Sequence, residues 1–317
     1  FVNMYGLPRY TENDPTAFIA VTYTVLFGIM FADLGQGLVL ALIGWLMWKF
    51  GKMAIGRVLV PCGISSAVFG TAFGSVFGFE HVLDPLYKAL FGLEEKPIEV
   101  MESGTTVMIL LASVGIGVLL IAVSMLMNIR TCLKQKDYEN GLFGANGVAG
   151  LVFYLSLIIG AACQIGLGIP LLNLPYVLCL IVLPVLLMFF REILGQLVAR
   201  DPDWKPKKWG EFIIQNFFEV FEFMLSYLSN TMSFLRVAAF VLVHAGMMMA
   251  VFAIGGMFHT VGFTIAAIIG NALVMGMEAV LVVIQVMRLE YYEMFSRYYI
   301  GDGKPFRPLS LKSEENS

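Results

Sequence analysis

Charged residues are scarce in this sequence. Only 14% of its 317 residues are Asp, Glu, Lys or Arg, 59% are hydrophobic, and the mean hydropathy is +0.82. Soluble globular domains carry roughly 25% charged residues, so the composition indicates an integral membrane protein. The formal net charge of −3 speaks against a nucleic-acid partner and against polybasic binding to a membrane surface. The placement of the few charges is therefore more informative than their sum.

Several motifs of enzymes and metal sites are also missing. The four cysteines form no C-x-x-C pair, so neither a disulfide framework nor a zinc site is predicted. The histidines His81 and His259 fall in predicted loops, and no H-E-x-x-H motif occurs, which argues against a membrane metalloprotease. The glycine-rich stretch "GTAFGS" lacks the P-loop lysine and favours close helix packing over nucleotide binding. No cofactor or metal site is predicted in this chain.

Apolar segments follow one another along the whole sequence. A helix needs about 20 apolar residues to cross a bilayer, and we predict eight such helices. They lie near residues 16–33, 36–50, 54–78, 105–128, 144–168, 174–191, 211–256 and 261–299. The last two exceed the minimum, as tilted or protruding helices do. The predicted fold is an all-α integral membrane protein. Its four regions are an entry segment (1–15), six helices (16–210), a unit of two long helices (211–300) and a tail (301–317).

Lysine and arginine occur mainly in alternate connections. The basic residues of the second, fourth and sixth connections are Lys49, Lys52, Arg57, Arg130, Lys134, Lys136, Arg191, Arg200, Lys205, Lys207 and Lys208. The third connection is mainly acidic, and the fifth and seventh carry no Lys or Arg. Positively charged short loops stay in the cytoplasm, so both ends of the chain are predicted there. A basic tail agrees with this: Arg297, Lys304, Arg307 and Lys312. Because the chain begins with Phe1, we expect a further cytosolic domain upstream.

The seventh predicted helix carries Arg236 in the middle of an apolar run. Four polar residues share its face at 100° per residue: Glu222, Ser226, Ser229 and Ser233. This stripe extends about 21 Å toward the cytoplasm at 1.5 Å per residue, and His244 continues the polar path outward. Serines also serve simple helix packing, and a lone histidine near a helix end can be merely solvated, so those alternatives stay open.

The eighth predicted helix has a polar stripe of its own. Its residues recur at intervals of seven: Asn271, Glu278, Gln285 and Tyr292. Arg288 follows Gln285 by three positions and, since the two helices run antiparallel, can reach the depth of Arg236. Ionisable groups inside a membrane normally face a partner charge or a water-filled path. The chain offers few obvious membrane carboxylates for two arginines, so an acidic partner in another subunit is expected, with a salt bridge inside the bundle as the alternative.

Three stretches resemble a known family: "MYGLPRYTENDPTAFIAVTYTVLFGIMFADLGQG", "SFLRVAAFVLVHA" and "MRLEYYEMFSRYYIGDGKPFRPL". They are similar to the membrane domain of the V-type ATPase a subunit, called subunit I in prokaryotes. The resemblance implies a stator past which a proteolipid ring turns, each ring subunit carrying an ion-binding carboxylate. It implies that ATP binds other subunits and that the partners are the proteolipid c/K ring, peripheral-stalk and central-stalk-associated subunits, and lipid. A prokaryotic cell membrane is the expected location.

The resemblance also assigns roles to residues. Arg236 matches the family's essential arginine, and Arg288 matches a second arginine on the eighth helix. Further matching positions are Glu222, Ser229, His244 and Glu278. Asp33 matches the aspartate of a motif usually written Gly-Asp-Met-Gly-His-Gly, which here reads Ala-Asp-Leu-Gly-Gln-Gly. Gln36 thus replaces a histidine, which leaves H+ and Na+ both open as the transported ion.

Topology and resemblance together predict two offset half-channels. The cytoplasmic one contains Glu222, Ser226, Ser229 and Ser233, and the outer one contains Asp33, His244, Glu278 and Gln285. Arg236 and Arg288 would interact with the ring carboxylate, and Arg236 would also block a direct leak between the half-channels. One alternative is a secondary transporter with Arg236 in its binding site, although paired broken helices in matching halves are missing from the sequence. Another is a structural anchor with vestigial channel residues, which the intact stripes oppose.

Overall fold

The computed structural model describes residues 2–9, 14–79, 82–91, 100, 102–166, 168, 170, 172–199 and 208–303. Most of them are helical, and no β-strand occurs within these ranges. The predicted all-α fold is therefore confirmed. His81, the basic residues Arg200, Lys205 and Lys207, and the predicted tail beyond residue 303 lie outside the described residues.

Fourteen α-helices are numbered in chain order over the described residues. They are α1 (Val2–Tyr5), α2 (Thr16–Met30), α3 (Leu34–Lys49), α4 (Gly56–Phe73), α5 (Asp84–Phe91), α6 (Ser103–Gln135), α7 (Val148–Gly166), α8 (Leu174–Tyr176), α9 (Leu183–Phe189), α10 (Arg191–Ala199), α11 (Trp209–Ser233), α12 (Leu235–Gly256), α13 (Thr260–Arg288) and α14 (Ser296–Tyr298). Three π-helical segments adjoin them, at Glu139–Phe143, Val177–Val182 and Leu289–Phe295.

Five helical stretches of the described chain are long and apolar enough to cross a membrane. A sixth is obtained if Leu174–Phe189 and Arg191–Val198, which meet at a bend of 77°, count as one span. The apolar helices α2 and α3 have 15 and 16 residues, so they reach only about 22–24 Å at 1.5 Å per residue. Because that is short of a hydrocarbon core of roughly 30 Å, eight complete crossings stay a prediction.

The two long helices at the end of the chain are less regular than their sequences suggest. The predicted seventh helix is interrupted at Phe234, between α11 and α12, where φ of −73° and ψ of −15° stay in the right-handed helical region. The predicted eighth helix changes from α to π over Leu289–Phe295. A π-helical segment shifts the faces of the residues in it. Tyr292, predicted to share a face with the buried Glu278, is consequently 68% exposed, and that part of the predicted stripe is wrong.

Glycines bring α3 and α4 into backbone contact. A Cβ added at Gly63 would lie 2.5 Å from the amide nitrogen of Ala41 and 2.6 Å from the carbonyl oxygen of Gly37. A Cβ at Gly70 would lie 2.2 Å from the amide nitrogen of Leu34. Only glycine allows so close an approach. The contact holds the beginning of α3, where Asp33 lies, against the end of α4.

The two ends of the described chain meet on one side of the helix bundle. The amide of Gly303 donates to the Leu7 carbonyl at 2.8 Å, and the Tyr299 hydroxyl donates to the Gly6 carbonyl at 2.8 Å. An even number of crossings requires such a common side. Arg297, which the sequence groups with the basic residues of the tail, lies in α14 within the predicted eighth helix and is only 6% exposed.

Candidate functional site

Three ionisable side chains from three helices meet in the interior. Nδ1 of His244, on α12, lies 2.6 Å from Oε2 of Glu278, on α13. Nε2 of the same histidine lies 3.6 Å from Oδ2 of Asp33, immediately before α3. All three side chains are buried, and both carboxylates are at 0% exposure. The structure thus brings together three of the four residues predicted for the outer half-channel.

Asp33 is bonded through both of its carboxylate oxygens. Oδ1 accepts hydrogen bonds from the amides of Gln36 at 2.8 Å and Phe77 at 3.0 Å. Oδ2 accepts from the Ser75 hydroxyl at 2.6 Å and the Gly78 amide at 2.8 Å. The first bond caps α3, and the others fix a turn in which Phe77 has an unusual positive φ of 51°. Asp33 therefore acts as a structural anion that also faces His244.

Glu278 is bonded quite differently. Its Oε2 faces His244, whereas its Oε1 is buried and has no hydrogen-bond partner among the described residues. A carboxyl oxygen in this state has free capacity to take a proton or a cation. A cavity of about 30 Å³ adjoins His244 on the side of Ser75 and Gly78, which is enough volume for one water molecule.

Polar residues continue from this cluster toward a larger cavity. The Nε2 amide of Gln36 donates to Oδ1 of Asn271 at 2.9 Å. Both residues line a cavity of about 480 Å³ between α3 and α13, whose other walls are mainly apolar. Gln36, which stands where the related motif has histidine, thus connects the buried cluster to the predicted outer side.

The two arginines meet a carboxylate of this same chain. Arg236 is half-buried and lies within electrostatic range of both Arg288 and Glu293. Glu293, in the π-helical segment, is 4% exposed and lies near Ser233, Arg236 and Arg288. The expectation that the arginines lack a further carboxylate in this chain is therefore wrong. Nη1 of Arg236 still has no hydrogen-bond partner within the described part of the chain.

Gln285 belongs with the arginines. Its Oε1 accepts a hydrogen bond of 3.5 Å from Nη1 of Arg288. Along α13 it lies seven residues from Glu278, about 10 Å at 1.5 Å per residue. The structure thus places it away from the buried cluster with which it was grouped.

The predicted cytoplasmic stripe lies on the outside of the chain. Glu222, Ser226 and Ser229 are exposed on α11, and Ser233 is half-buried. The Ser233 hydroxyl donates to the Ser229 carbonyl at 3.0 Å. Most of this stripe and Arg288 are exposed in the isolated chain, so any path along them needs walls from outside the chain.

Comparison with known proteins decides the family. The V-type ATPase 116 kDa subunit family matches residues 1–57 and 196–311, more than half of the chain. The chain belongs to this family. The matched ranges contain all ten predicted site residues and the whole of α2, α3, α11, α12 and α13.

Individual relatives agree with the V-type ATPase 116 kDa subunit family. The chain is 30% identical to the A-type ATP synthase subunit I of Saccharolobus solfataricus over 97% of its length and 52% of the relative's. It is 24% identical to that of Methanocaldococcus jannaschii, over 98% and 47% of the respective lengths. The V-type ATP synthase subunit I 2 of Treponema pallidum is 40% identical over 29% of this chain. The chain spans about half the length of the first two relatives.

Sequence reasoning missed two buried acids in this family member. Glu290 is at 0% exposure and accepts a 2.6 Å hydrogen bond from the Thr22 hydroxyl, and Glu293 faces the arginines. Both follow Arg288 in "RLEYYEMF", and the signal that could have found them was two glutamates at the end of an apolar helix. In the described residues no group of three or more His, Cys, Asp or Glu side chains could hold a metal ion.

Proposed function

We propose that the chain is the ion-conducting stator domain of a rotary ATPase membrane subunit. It provides two offset half-channels through which H+ or Na+ reaches and leaves the carboxylates of a rotating proteolipid ring. The observation that carries this proposal is the buried cluster of Asp33, His244 and Glu278, separated along the helices from a pair of arginines. Burying such groups in a membrane domain is costly unless they serve a path or a partner.

Asp33, His244 and Glu278 have different roles in the proposed outer half-channel. Asp33 uses its oxygens on four protein donors, so it fixes the turn beside His244. Glu278 keeps one oxygen available, and its 2.6 Å contact with His244 is short enough for direct proton transfer. The ion would pass between Glu278 and His244 and leave by way of Gln36, Asn271 and the cavity that they line.

The arginines meet the ring carboxylate. Two guanidinium groups near one carboxylate, that of Glu293, leave an excess of one positive charge. Since an arginine keeps its proton in proteins, this excess stays and stabilises the anionic form of an arriving carboxylate. The carboxylate then releases its ion to the outer half-channel. The same fixed charge opposes passage of a cation directly from one half-channel to the other.

The cytoplasmic half-channel would be completed by the ring. Glu222, Ser226 and Ser229 are exposed on α11, so a partner packed against this face would turn an open stripe into an enclosed path. Peripheral-stalk and central-stalk-associated subunits are the other proposed partners, and ATP would bind elsewhere in the complex. The proposed location is a prokaryotic cell membrane with both ends of this segment in the cytoplasm.

The decisive experiment is transport by the whole complex in vesicles. Arg236→Ala should abolish ATP-driven ion uptake while leaving a complete complex on native gels, because the guanidinium acts on a passing carboxylate. Arg236→Lys should also be impaired, since lysine lacks the fork and loses its proton more readily. Arg130→Ala, an exposed arginine on α6, is the matched control and should transport normally. Normal uptake by Arg236→Ala would refute the proposal, and assays with and without sodium identify the ion.

A further inference from the structure

A polar cavity lies at the opposite end of the bundle from the mainly apolar Gln36 cavity. It measures about 280 Å³ and is lined by the end of α6, the π-helical segment after it, α10, α11 and α14. Its lining includes two arginines, Arg191 and Arg297, and amide side chains such as Asn140 and Asn146. Basic residues cluster at this end, which is the predicted cytoplasmic side.

Arg297 is buried there with only neutral hydrogen-bonding partners. Its Nη1 donates to Oδ1 of Asn146 at 3.0 Å, and its guanidinium carbon lies 5.2 Å from the ring centre of Tyr227. Its Nε and Nη2 are buried and have no hydrogen-bond partner within the described ranges. The side chain is only 6% exposed. A buried cation is stable when it is paired or fully hydrogen-bonded, so this guanidinium still lacks an anion.

Glu139 interacts electrostatically with Arg191, and three further carboxylates near the cavity have other partners. Glu219 forms an ion pair of 2.6 Å with Nη2 of Arg191. Asp137 accepts two hydrogen bonds from Asn140, at 3.2 Å from its amide and 2.8 Å from its side chain. Glu293 acts on Arg297 only at longer range and also serves Arg236 and Arg288. Nε of Arg191 is a further buried donor that has no partner in the described chain. Together with Nε and Nη2 of Arg297, it makes three guanidinium nitrogens around one cavity that have no hydrogen-bond acceptor among the described residues.

We infer that this cavity binds a phosphate group, held between Arg297 and Arg191. Guanidinium groups match the oxygens of a phosphate in geometry and charge. A bound monoanion would supply the negative counter-charge that the buried Arg297 lacks. Basic pockets between helices at a cytoplasmic membrane surface suit the headgroups of anionic lipids, and free phosphate offers the same chemistry. The inference does not depend on ion transport, because it concerns residues outside the proposed half-channels.

The test measures the thermal stability of the purified complex, followed by its intrinsic fluorescence. One arm compares nanodiscs of phosphatidylcholine with nanodiscs that also contain phosphatidylglycerol, and the other adds inorganic phosphate in detergent. Stabilisation by phosphatidylglycerol alone identifies a lipid headgroup, and stabilisation by phosphate identifies the free ion. Either result supports the site only if it weakens in the variants below. No stabilisation in either arm overturns the inference.

Two variants and one control locate the effect. Arg297→Gln should weaken the response roughly tenfold or more in affinity, as expected for the loss of charge-assisted hydrogen bonds. Asn146→Asp places a carboxylate beside Arg297, so this variant should fold well and should also lose the response. It keeps the test valid if Arg297→Gln fails to fold. Arg130→Gln removes an exposed arginine of the same helix end and should respond as the parent does. Equal responses in Asn146→Asp and the parent would refute the site.

Discussion

His244 and Glu278 face each other across α12 and α13, with Nδ1 and Oε2 separated by 2.6 Å. Neither side chain is accessible to bulk solvent in the isolated chain, and Oε1 of Glu278 has no partner among the described residues. A pair built only for stability would be expected to use both carboxylate oxygens, as Asp33 does nearby. The contrast between these two acids is the basis for separating a transporting carboxylate from a structural one.

Glu278→Gln should therefore stop transport and leave assembly intact. The amide keeps the shape of the side chain and one contact with His244, but it can neither take up a proton nor neutralise a cation. Transport in vesicles and detergent-resistant assembly are measured on the same preparation. If Glu278 were only the structural counter-charge of a buried cation, its loss would cost about 3–5 kcal/mol, and the complex would fall apart instead. Transport at the parental rate would equally contradict the prediction.

Asp33→Asn should show the opposite pattern and destabilise the protein. An amide offers one acceptor oxygen, so two of the four donors that converge on Asp33 lose their partner, at a cost of about 2–4 kcal/mol. We expect a clear fall in thermal stability and loosening of the turn at Ser75–Gly78. Asp14→Asn is the matched control, because Asp14 is exposed and bonds only its neighbour Thr16. An unchanged melting temperature in Asp33→Asn would show that Asp33 is not structural.

Glu293→Gln tests whether this carboxylate tunes the arginines. Without it, two arginines would face the ring with an excess of two charges, and an arriving carboxylate should be held more tightly. We expect slower turnover with an assembled complex. Because the effect acts through Arg236, adding Glu293→Gln to the impaired Arg236→Lys variant should lower transport no further. Glu211→Gln, at an exposed ion pair with Lys208, should transport normally. Additive losses in the double variant would separate Glu293 from Arg236.

The sequence predicted the parts of the site that depend on regular helices. Hydropathy located the long helices, and antiparallel packing of the last two made a meeting of His244 with Glu278 reasonable. Asp33 was predicted as a residue of this site from the resemblance of its segment to a family motif, because helical periodicity does not relate it to His244 or Glu278. Three of its four hydrogen bonds come from the turn at 75–78, and no pattern in the sequence predicts the conformation of that turn.

The missed residues share a physical cause. A rotation of 100° per residue predicts which residues share a face only where the segment is an α-helix. The π-helical segment at Leu289–Phe295 ends that regularity, so it turns Glu290 and Glu293 inward and Tyr292 outward. Arg297 follows directly, and its burial could not be predicted from a sequence in which it was grouped with the basic residues of the tail.

Gly63→Ala should test the close contact that supports Asp33. The added methyl group would meet the backbone of α3 at 2.5–2.6 Å, so α3 and α4 must separate, at a cost of about 1–3 kcal/mol. Gly115→Ala is the matched control: it lies in α6, and a Cβ there meets nothing within 4 Å among the described residues. Thermal stability should fall in the first variant only. Equal effects in the two variants would mean that the α3–α4 contact is not limiting.

Cysteine labelling tests the two half-channels directly. The natural cysteines are Cys62, Cys132, Cys163 and Cys179, and they are first replaced. In that background a water-soluble thiol reagent should label Ser226→Cys from the cytoplasm, because this residue is exposed on α11. It should label Asn271→Cys from the outside, because Asn271 lines the cavity next to Gln36.

The control for this labelling is a surface position that faces lipid. Leu111 is 68% exposed on α6 in the isolated chain, yet it lies in an apolar stretch, so Leu111→Cys should react from neither side. Glu278→Cys lies deeper than Asn271→Cys and should react from the outside more slowly, since the reagent must pass the Gln36–Asn271 pair. Labelling of positions 226 and 271 from the same side would contradict the offset half-channels. Their complete protection would mean that both stripes pack dry against neighbouring helices, and a conducting role would then be untenable for either.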